Sequence, residues 1–181
     1  IDVGNEELHF ASVAGSLASA LESDDRSMAV IANADQQFGV ATFRQAGLAA
    51  MNTDGEVAGG AVAQTLLRQD DSAAFGLELD VKRIAQSFGA IWADHDVVLV
   101  ELSDLERAEM SRAVATLEQG DREYASALRS GDELVGELMK QVDLSRDTVI
   151  VVGPTSPLEE TQLTTFAING PGIAAGWAES S

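Results

Sequence analysis

Hydrophobic positions along the chain follow two periods, one typical of helices and one typical of strands. Where apolar residues recur every three or four positions, the spacing predicts amphipathic helices. These predicted helices cover residues 10–21, 62–67, 81–92, 103–117 and 121–142, with Asp80 as the N-cap of the third. The chain therefore alternates between helical spacing and short apolar runs.

Short runs rich in valine, isoleucine and leucine lie between the predicted helices and predict buried strands. The predicted strands cover residues 28–32, 97–102, 148–152 and 163–168, with a weaker candidate at 48–51. Strands separated by helices favour βαβ crossovers. We therefore expect an α/β fold with three α/β/α layers and a mainly parallel sheet. Residues 1–181 are expected to form a single domain, excised from a longer chain.

The composition of the chain excludes several classes of function. The 181 residues carry 30 acidic and 11 basic side chains, for a net charge of −19. Such a charge repels nucleic acid and anionic membrane surfaces, and no basic patch offsets it. Cysteine is absent and only two histidines occur, His9 and His95, which excludes thiolate chemistry and multi-histidine zinc sites. No apolar run is long enough to span a membrane.

Polar residues follow several of the predicted strands, at the edge where ligands bind in open parallel sheets. These residues are Asn33, Asp35, Ser103, Asp104, Thr155 and Ser156. Oxygen and amide groups placed together at this edge could bind a metal, a phosphate or a sugar. Asn33, Ser103, Asp104, Thr155 and Ser156 are therefore candidate ligand-binding residues, although no metal ligand set or cofactor is predicted from them.

Ser103 and Asp104 also have a purely structural interpretation. Ser103 followed by Glu106 is a Ser-x-x-Glu sequence before an apolar helix, which is typical of a capping box. The dipole of that helix explains an acidic residue such as Asp104 in its first turn. His95 is interpreted as a helix-terminal residue. No phosphate-binding loop, nucleophile elbow or dinucleotide fingerprint is present, so no catalytic residue is predicted.

From residue 97 onward the order of features resembles the alkaline phosphatase superfamily, most closely the degenerate extracytoplasmic domains of actinobacterial membrane proteins. The matching features are the run at 97–102, Asp104, the helix over 121–142 with Gly-Asp-Glu-Leu-Val at 131–135, the run at 148–152, and Phe-Ala-Ile-Asn-Gly-Pro-Gly at 166–172. This resemblance implies an alkaline-phosphatase-like fold, and a location outside the cytoplasm as part of a membrane-anchored protein.

The chain departs from that family at its metal ligands. The family's metal-binding Asp matches Asp104, but the His that should follow falls near Arg107 or Ala108. The family's Asp-His pair after the next strand falls on residues 154–156, where neither residue occurs. The family's nucleophile belongs to a region preceding this segment. One carboxylate cannot hold the metal ions of such a centre.

The resemblance and these departures together favour a non-catalytic interaction or scaffold domain. Its expected partners are other domains of the same membrane protein or another protein. The alternative is part of a metal-dependent phosphoesterase or phosphotransferase whose remaining active-site residues lie outside this segment. A weaker possibility is a small-ligand domain that uses the sheet edge around Asn33, Ser103 and Thr155.

Overall fold

The computed structural model describes residues 13–41, 43–153, 166–174 and 176. The chain divides into two units, Ile1–Leu138 and Met139–Ser181. Four α-helices are seen in the described residues: α1 (Ser16–Ser23), α2 (Val81–Trp92), α3 (Ser103–Ser111) and α4 (Leu117–Met139). Single 3₁₀ segments lie at Gln45–Ala50, Gln64–Leu66 and Ala74–Gly76.

Seven strands are present in the same part of the chain, and the fold is mixed α/β. They are β1 (Met28–Ile31), β2 (Gly59–Ala61), β3 (Leu67–Gln69), β4 (Leu77–Leu79), β5 (Val97–Val100), β6 (Val149–Val152) and β7 (Phe166–Asn169). In the first unit β2, β1 and β5 form a parallel sheet in that order, and β3 pairs with β4 in antiparallel orientation. In the second unit β6 pairs with β7 in antiparallel orientation.

β1 is the central strand of the parallel sheet and lies in the core. All four of its residues are buried, as the apolar run at 28–32 predicts. Met28 pairs with Val97 and Ile31 with Val100, so the predicted strands at 28–32 and 97–102 lie side by side. Because both strands run in the same direction, the segments that follow them emerge at the same edge of the sheet.

Helix α2 confirms the predicted start at Asp80. The Asp80 carboxylate accepts a hydrogen bond of 3.1 Å from the backbone N–H of Arg83, which satisfies one of the free donors of the first turn. The buried side chains of the helix are Ile84 and Phe88, and Phe88 stacks on Trp92 with ring centroids 5.8 Å apart. The amphipathic spacing and the N-cap at Asp80 therefore both predict α2 correctly.

β2 lies unusually close to its neighbours because its first two residues are glycines. A Cβ atom built on Gly60 would lie closer than 3.0 Å to the backbone oxygen of Val30, and Gly60 has φ +153°. A Cβ atom on Gly59 would lie equally close to Nε2 of His95. The two glycines therefore allow an approach that a side chain would prevent.

Two short segments differ from the sequence predictions. Residues 48–51, predicted as a weak strand, lie mostly in the 3₁₀ segment Gln45–Ala50, since three alanines there favour helical turns over strand. The helix predicted at 62–67 is only the 3₁₀ turn Gln64–Leu66, because Leu67 pairs with Leu79 and begins β3.

The helix predicted over residues 103–117 is interrupted, and this prediction was wrong in its extent. Helix α3 ends at Ser111, and Val114 is 80% exposed. Helix α4 begins at Leu117, earlier than predicted, because the Thr116 hydroxyl accepts a hydrogen bond of 3.2 Å from the Gln119 N–H. The helical spacing of apolar residues here does not reflect burial.

The second unit contains the largest difference between the predicted and the observed strand pairing. The sequence predicts a strand at 148–152 and a mainly parallel sheet, whereas β6 pairs with β7 as an antiparallel ladder in which Val152 faces Phe166. The β6 side chains are not deeply buried, and Ile150 is 60% exposed. A continuous apolar run identifies a strand but does not specify its partner or its orientation.

Candidate functional site

The predicted site lies where β1 and β5 end. We call Asn33, Asp35, Ser103, Asp104 and Arg107 the edge cluster. All five residues are buried, and Arg107 is 0% exposed. Four of them were singled out from the sequence, because residues that follow neighbouring parallel strands meet at one edge. Thr155 and Ser156, which were predicted to join them, lie outside the described residues.

Asn33 uses each of its polar groups inside the protein. Its side-chain N–H₂ donates to the backbone oxygens of Val62 and Ala63, both at 3.1 Å. Its side-chain oxygen accepts from the Asp35 N–H at 2.9 Å, and its own N–H donates to the Ser103 hydroxyl at 3.1 Å. Asn33 therefore joins the end of β1 to the segment after β2 and to the start of α3.

Asp35 holds the loop that follows β1. One carboxylate oxygen accepts from the Phe43 N–H at 3.1 Å, and the other accepts from the guanidinium of Arg44 at 2.7 and 3.2 Å. The carboxylate is fully buried, whereas the Arg44 side chain is 28% exposed. A buried carboxylate needs such a partner, and the pair fixes both ends of the loop.

Arg107 lies at the centre of the edge cluster. Its Nη1 donates to the Asn33 backbone oxygen at 2.6 Å, and its Nη2 donates to the Asp104 carboxylate. Asp104 also accepts from the Leu79 N–H and from the Ser130 hydroxyl, each at 3.0 Å. A guanidinium thus neutralises the carboxylate that the sequence analysis considered as a candidate ligand.

No role for Arg107 is evident from the sequence. The available signal was its position three residues after Asp104, which places the two side chains on one helical face. Pairs with this spacing usually lie on the surface, and arginine is rarely fully buried. The burial of the pair depends on Asn33, which is 74 positions away in the sequence.

The capping box predicted at Ser103 and Glu106 is not formed. Leu102 occupies the cap position of α3 and makes no side-chain capping hydrogen bond. The Ser103 hydroxyl instead accepts from the Asn33 N–H and donates to the Glu101 carboxylate. Glu106 is exposed. The hydroxyl is needed at the sheet edge, because the Asn33 N–H is buried and has no strand partner there.

The hydrogen bonds of Ser103 determine the expected effects of mutation. We expect Ser103→Ala to lower the free energy of unfolding by about 1–3 kcal/mol, because it leaves the buried Asn33 N–H without an acceptor. Glu106→Ala should change it by no more than about 0.5 kcal/mol, as for other surface substitutions. Urea unfolding of the two variants measures both effects. Equal and coupled losses would instead indicate a reciprocal capping box.

Two carboxyl groups around the edge cluster have perturbed acidity. Burial raises the pKa of Glu101, although the hydrogen bond from Ser103 opposes the shift. Burial also raises the pKa of Glu78, with the nearby charges of Asp104 and Asp70 acting in the same direction and Arg68 opposing them. In both cases removal from water disfavours the charged form.

We expect Glu101→Gln to stabilise the protein at neutral pH. A carboxyl group whose pKa is higher in the folded than in the unfolded state contributes stability that is lost as pH rises through the folded value. The amide variant has no charge to bury, and its oxygen can still accept from Ser103. Melting curves from acidic to neutral pH should show the Tm difference in favour of the variant growing with pH. A difference that grows against the variant would mean that the charged form is favoured in the fold.

An open depression lies beside the edge cluster. Glu78, Asp104 and Glu123 contribute to its lining together with Leu77, Ser126 and three alanines. Glu123 accepts from the Ser111 hydroxyl at 2.6 Å and from the Gln119 amide at 2.8 Å, so its oxygens are engaged.

The structure does not gather metal ligands in the part of the chain that it describes. Within residues 13–41, 43–153, 166–174 and 176, no group of three or more His, Cys, Asp or Glu side chains is arranged to hold a metal ion. His95 lies near the end of α2, as predicted, with Nδ1 2.9 Å from the Ile91 backbone oxygen. His9 lies outside the described residues.

None of the described helices is both long enough and apolar enough to cross a membrane. Comparison with known proteins found no matching family model, no matching curated protein and no matching solved structure.

Proposed function

We propose that this chain is a non-catalytic interaction or scaffold domain. The observation that carries the proposal is the buried guanidinium of Arg107, which bonds to Asn33 and Asp104 at the sheet edge where a ligand would bind. A metal-dependent phosphoesterase needs carboxylates that are free to coordinate cations. Here Asp104 accepts from a cation, a backbone N–H and a hydroxyl of its own chain.

The edge cluster supports the same proposal through its burial. Asn33, Asp35 and Ser103 are each 0% exposed, so a ligand could reach them only if the packed elements around them separated. Binding and catalytic groups usually line an open cleft. A buried and internally bonded polar network instead fixes the relative positions of the strands and helices that contribute to it.

The finer assignment that we propose is an alkaline-phosphatase-like arrangement in three layers, degenerate in its metal and nucleophile residues. Support comes from the parallel pairing of β1 with β5 and from Asp104, which lies in the first turn of the helix that follows β5. The proposed setting is a membrane-anchored protein, with this domain outside the cytoplasm and in contact with other domains of that protein. The net charge of −19 favours neutral or basic partner surfaces.

The test measures catalysis and association on the same preparations. The purified chain and the longer protein that contains it are incubated with p-nitrophenyl phosphate and zinc, manganese or magnesium. We expect no metal-dependent turnover by either. In equilibrium binding we expect the chain to bind separately purified segments of the longer protein.

Two results would overturn the proposal. Metal-dependent turnover by the longer protein, abolished by Asp104→Asn while the melting curve shows a folded variant, would support the phosphoesterase alternative. A failure of the chain to bind any other segment of the longer protein would contradict an interaction or scaffold role within it. Arg122→Gln is the control variant in both assays, because it changes an exposed charged residue outside the edge cluster.

A further inference from the structure

The last residue of β7 is an asparagine followed by a glycine. Asn169 is exposed and pairs with Val149, and Gly170 lies just beyond the strand. No backbone oxygen in the described part of the chain accepts a hydrogen bond from the Gly170 N–H. An exposed side-chain amide therefore precedes a glycine nitrogen, which has no Cβ beside it and no backbone acceptor among the described residues.

This combination has a specific chemistry. The backbone nitrogen that follows an asparagine can attack the side-chain carbonyl carbon, and a five-membered succinimide ring forms. A glycine in the following position favours this attack because no side chain shields the nitrogen. Hydrogen bonds that hold the side-chain amide or engage the attacking nitrogen oppose it, since they must be broken first.

The other asparagines that the structure describes are protected in this way. Asn33 is 0% exposed, and both its amide nitrogen and its amide oxygen are hydrogen-bonded. Asn52 is 6% exposed; its amide nitrogen donates to Glu22 and its oxygen accepts from the Asp54 and Glu56 N–H groups. Fold and sequence therefore single out one site among these three.

We infer that Asn169 is a site of spontaneous deamidation. The Gly170 nitrogen forms a bond to Cγ of Asn169, and the bond from Cγ to Nδ2 breaks. Nδ2 leaves as ammonia and takes the Gly170 N–H proton. Water then opens the ring at one of its two carbonyl carbons, which produces either aspartate or isoaspartate. Neither step needs an oxidant or a reductant, and the net charge changes from −19 to −20.

The isoaspartate product has a structural consequence in the second unit. Its main chain runs through Cβ and Cγ, so one additional carbon atom separates residues 169 and 170. Gly170 is already tightly placed, because a Cβ atom there would meet the Thr148 hydroxyl and the Asp147 backbone oxygen at 3.0 Å or less. The lengthened backbone does not fit this approach, so the β6–β7 ladder opens at the end that carries Val149.

The experiment ages the folded chain at mildly alkaline and at neutral pH and maps its peptides by mass spectrometry, with electron-based fragmentation to distinguish aspartate from isoaspartate. We expect progressive loss of the amide at Asn169, faster at alkaline pH, and none at Asn33 or Asn52. Asn169→Gln, whose longer side chain disfavours ring closure, should lose the reaction. Hydrogen exchange at Val149 should accelerate in the aged chain but not in the aged glutamine variant.

A parallel incubation in urea measures how fast Asn169 reacts in the unfolded chain, and so shows how the fold changes that rate. If Asn169 reacts in urea but stays intact in the folded chain, the strand end protects it and the inference is wrong. If Asn33 or Asn52 reacts as fast as Asn169 in the folded chain, the selectivity argued from burial and hydrogen bonding is also wrong.

Discussion

Arg107→Ala is expected to lower the free energy of unfolding by about 3–5 kcal/mol, the usual cost of removing one partner from a buried ion pair. The substitution leaves the Asp104 carboxylate buried without its cation and the Asn33 backbone oxygen without a donor from Arg107. In a chain of this size each kcal/mol corresponds to roughly 2–4 °C in Tm. Urea unfolding of the purified variant measures the loss directly.

An exposed ion pair in the same protein provides the control for this prediction. Arg122 contacts Glu118 one turn earlier on α4, and the two side chains are 66% and 85% exposed. Arg122→Ala should cost about 0.5 kcal/mol or less. If Arg107→Ala does not fold, Arg107→Lys, which keeps the charge but not the planar group of donors, should show an intermediate loss. Equal costs at positions 107 and 122 would refute the central role of Arg107.

The second large effect is expected at Gly60. Gly60→Ala places a methyl group against the backbone oxygen of Val30, its partner in the parallel ladder, and leaves alanine at a φ that it rarely adopts. Because a backbone atom cannot move aside as a flexible side chain can, we expect a cost of about 3 kcal/mol or more. Thermal melting followed by circular dichroism measures it.

Gly136 is the matched glycine. It lies exposed within α4, and a Cβ atom there would meet nothing within 4 Å. Gly136→Ala should stabilise the protein by about 0.5–1 kcal/mol, because alanine loses less conformational freedom in a helix. The opposite signs expected at the two positions test the close approach of β2 to β1. A small loss at Gly60 would mean that β2 can move away from β1.

Some features that local spacing encodes were predicted well from the sequence. The runs that form β1 and β5, and the cap at Asp80, depend on a few neighbouring residues and appear in the structure. The contact between Asn33 and Ser103 followed from a topological rule for parallel strands, because neither residue's local sequence indicates the other.

Features that depend on a distant partner could not be predicted in the same way. Ser-x-x-Glu is compatible with a capping box, but the Asn33 N–H, from a position 70 residues earlier, takes the Ser103 hydroxyl instead. Likewise, nothing near Arg107 in the sequence indicates that a backbone oxygen of the β1 segment will stabilise its burial. The run at 148–152 identifies β6 correctly but contains no information about β7 as its partner.

The order of strands in the parallel sheet has a consequence for synthesis on the ribosome. β1 is made first, yet Ala29 pairs with Gly59, 30 positions later, and Met28 pairs with Val97, 69 positions later. At the usual rate of roughly 5–20 residues per second, about 3–14 s separate the synthesis of β1 from that of β5. During that interval the apolar residues of β1 lack one of their two neighbouring strands. Nascent-chain aggregation and chaperone binding should therefore be greatest after β1 emerges and should fall once β5 has left the exit tunnel.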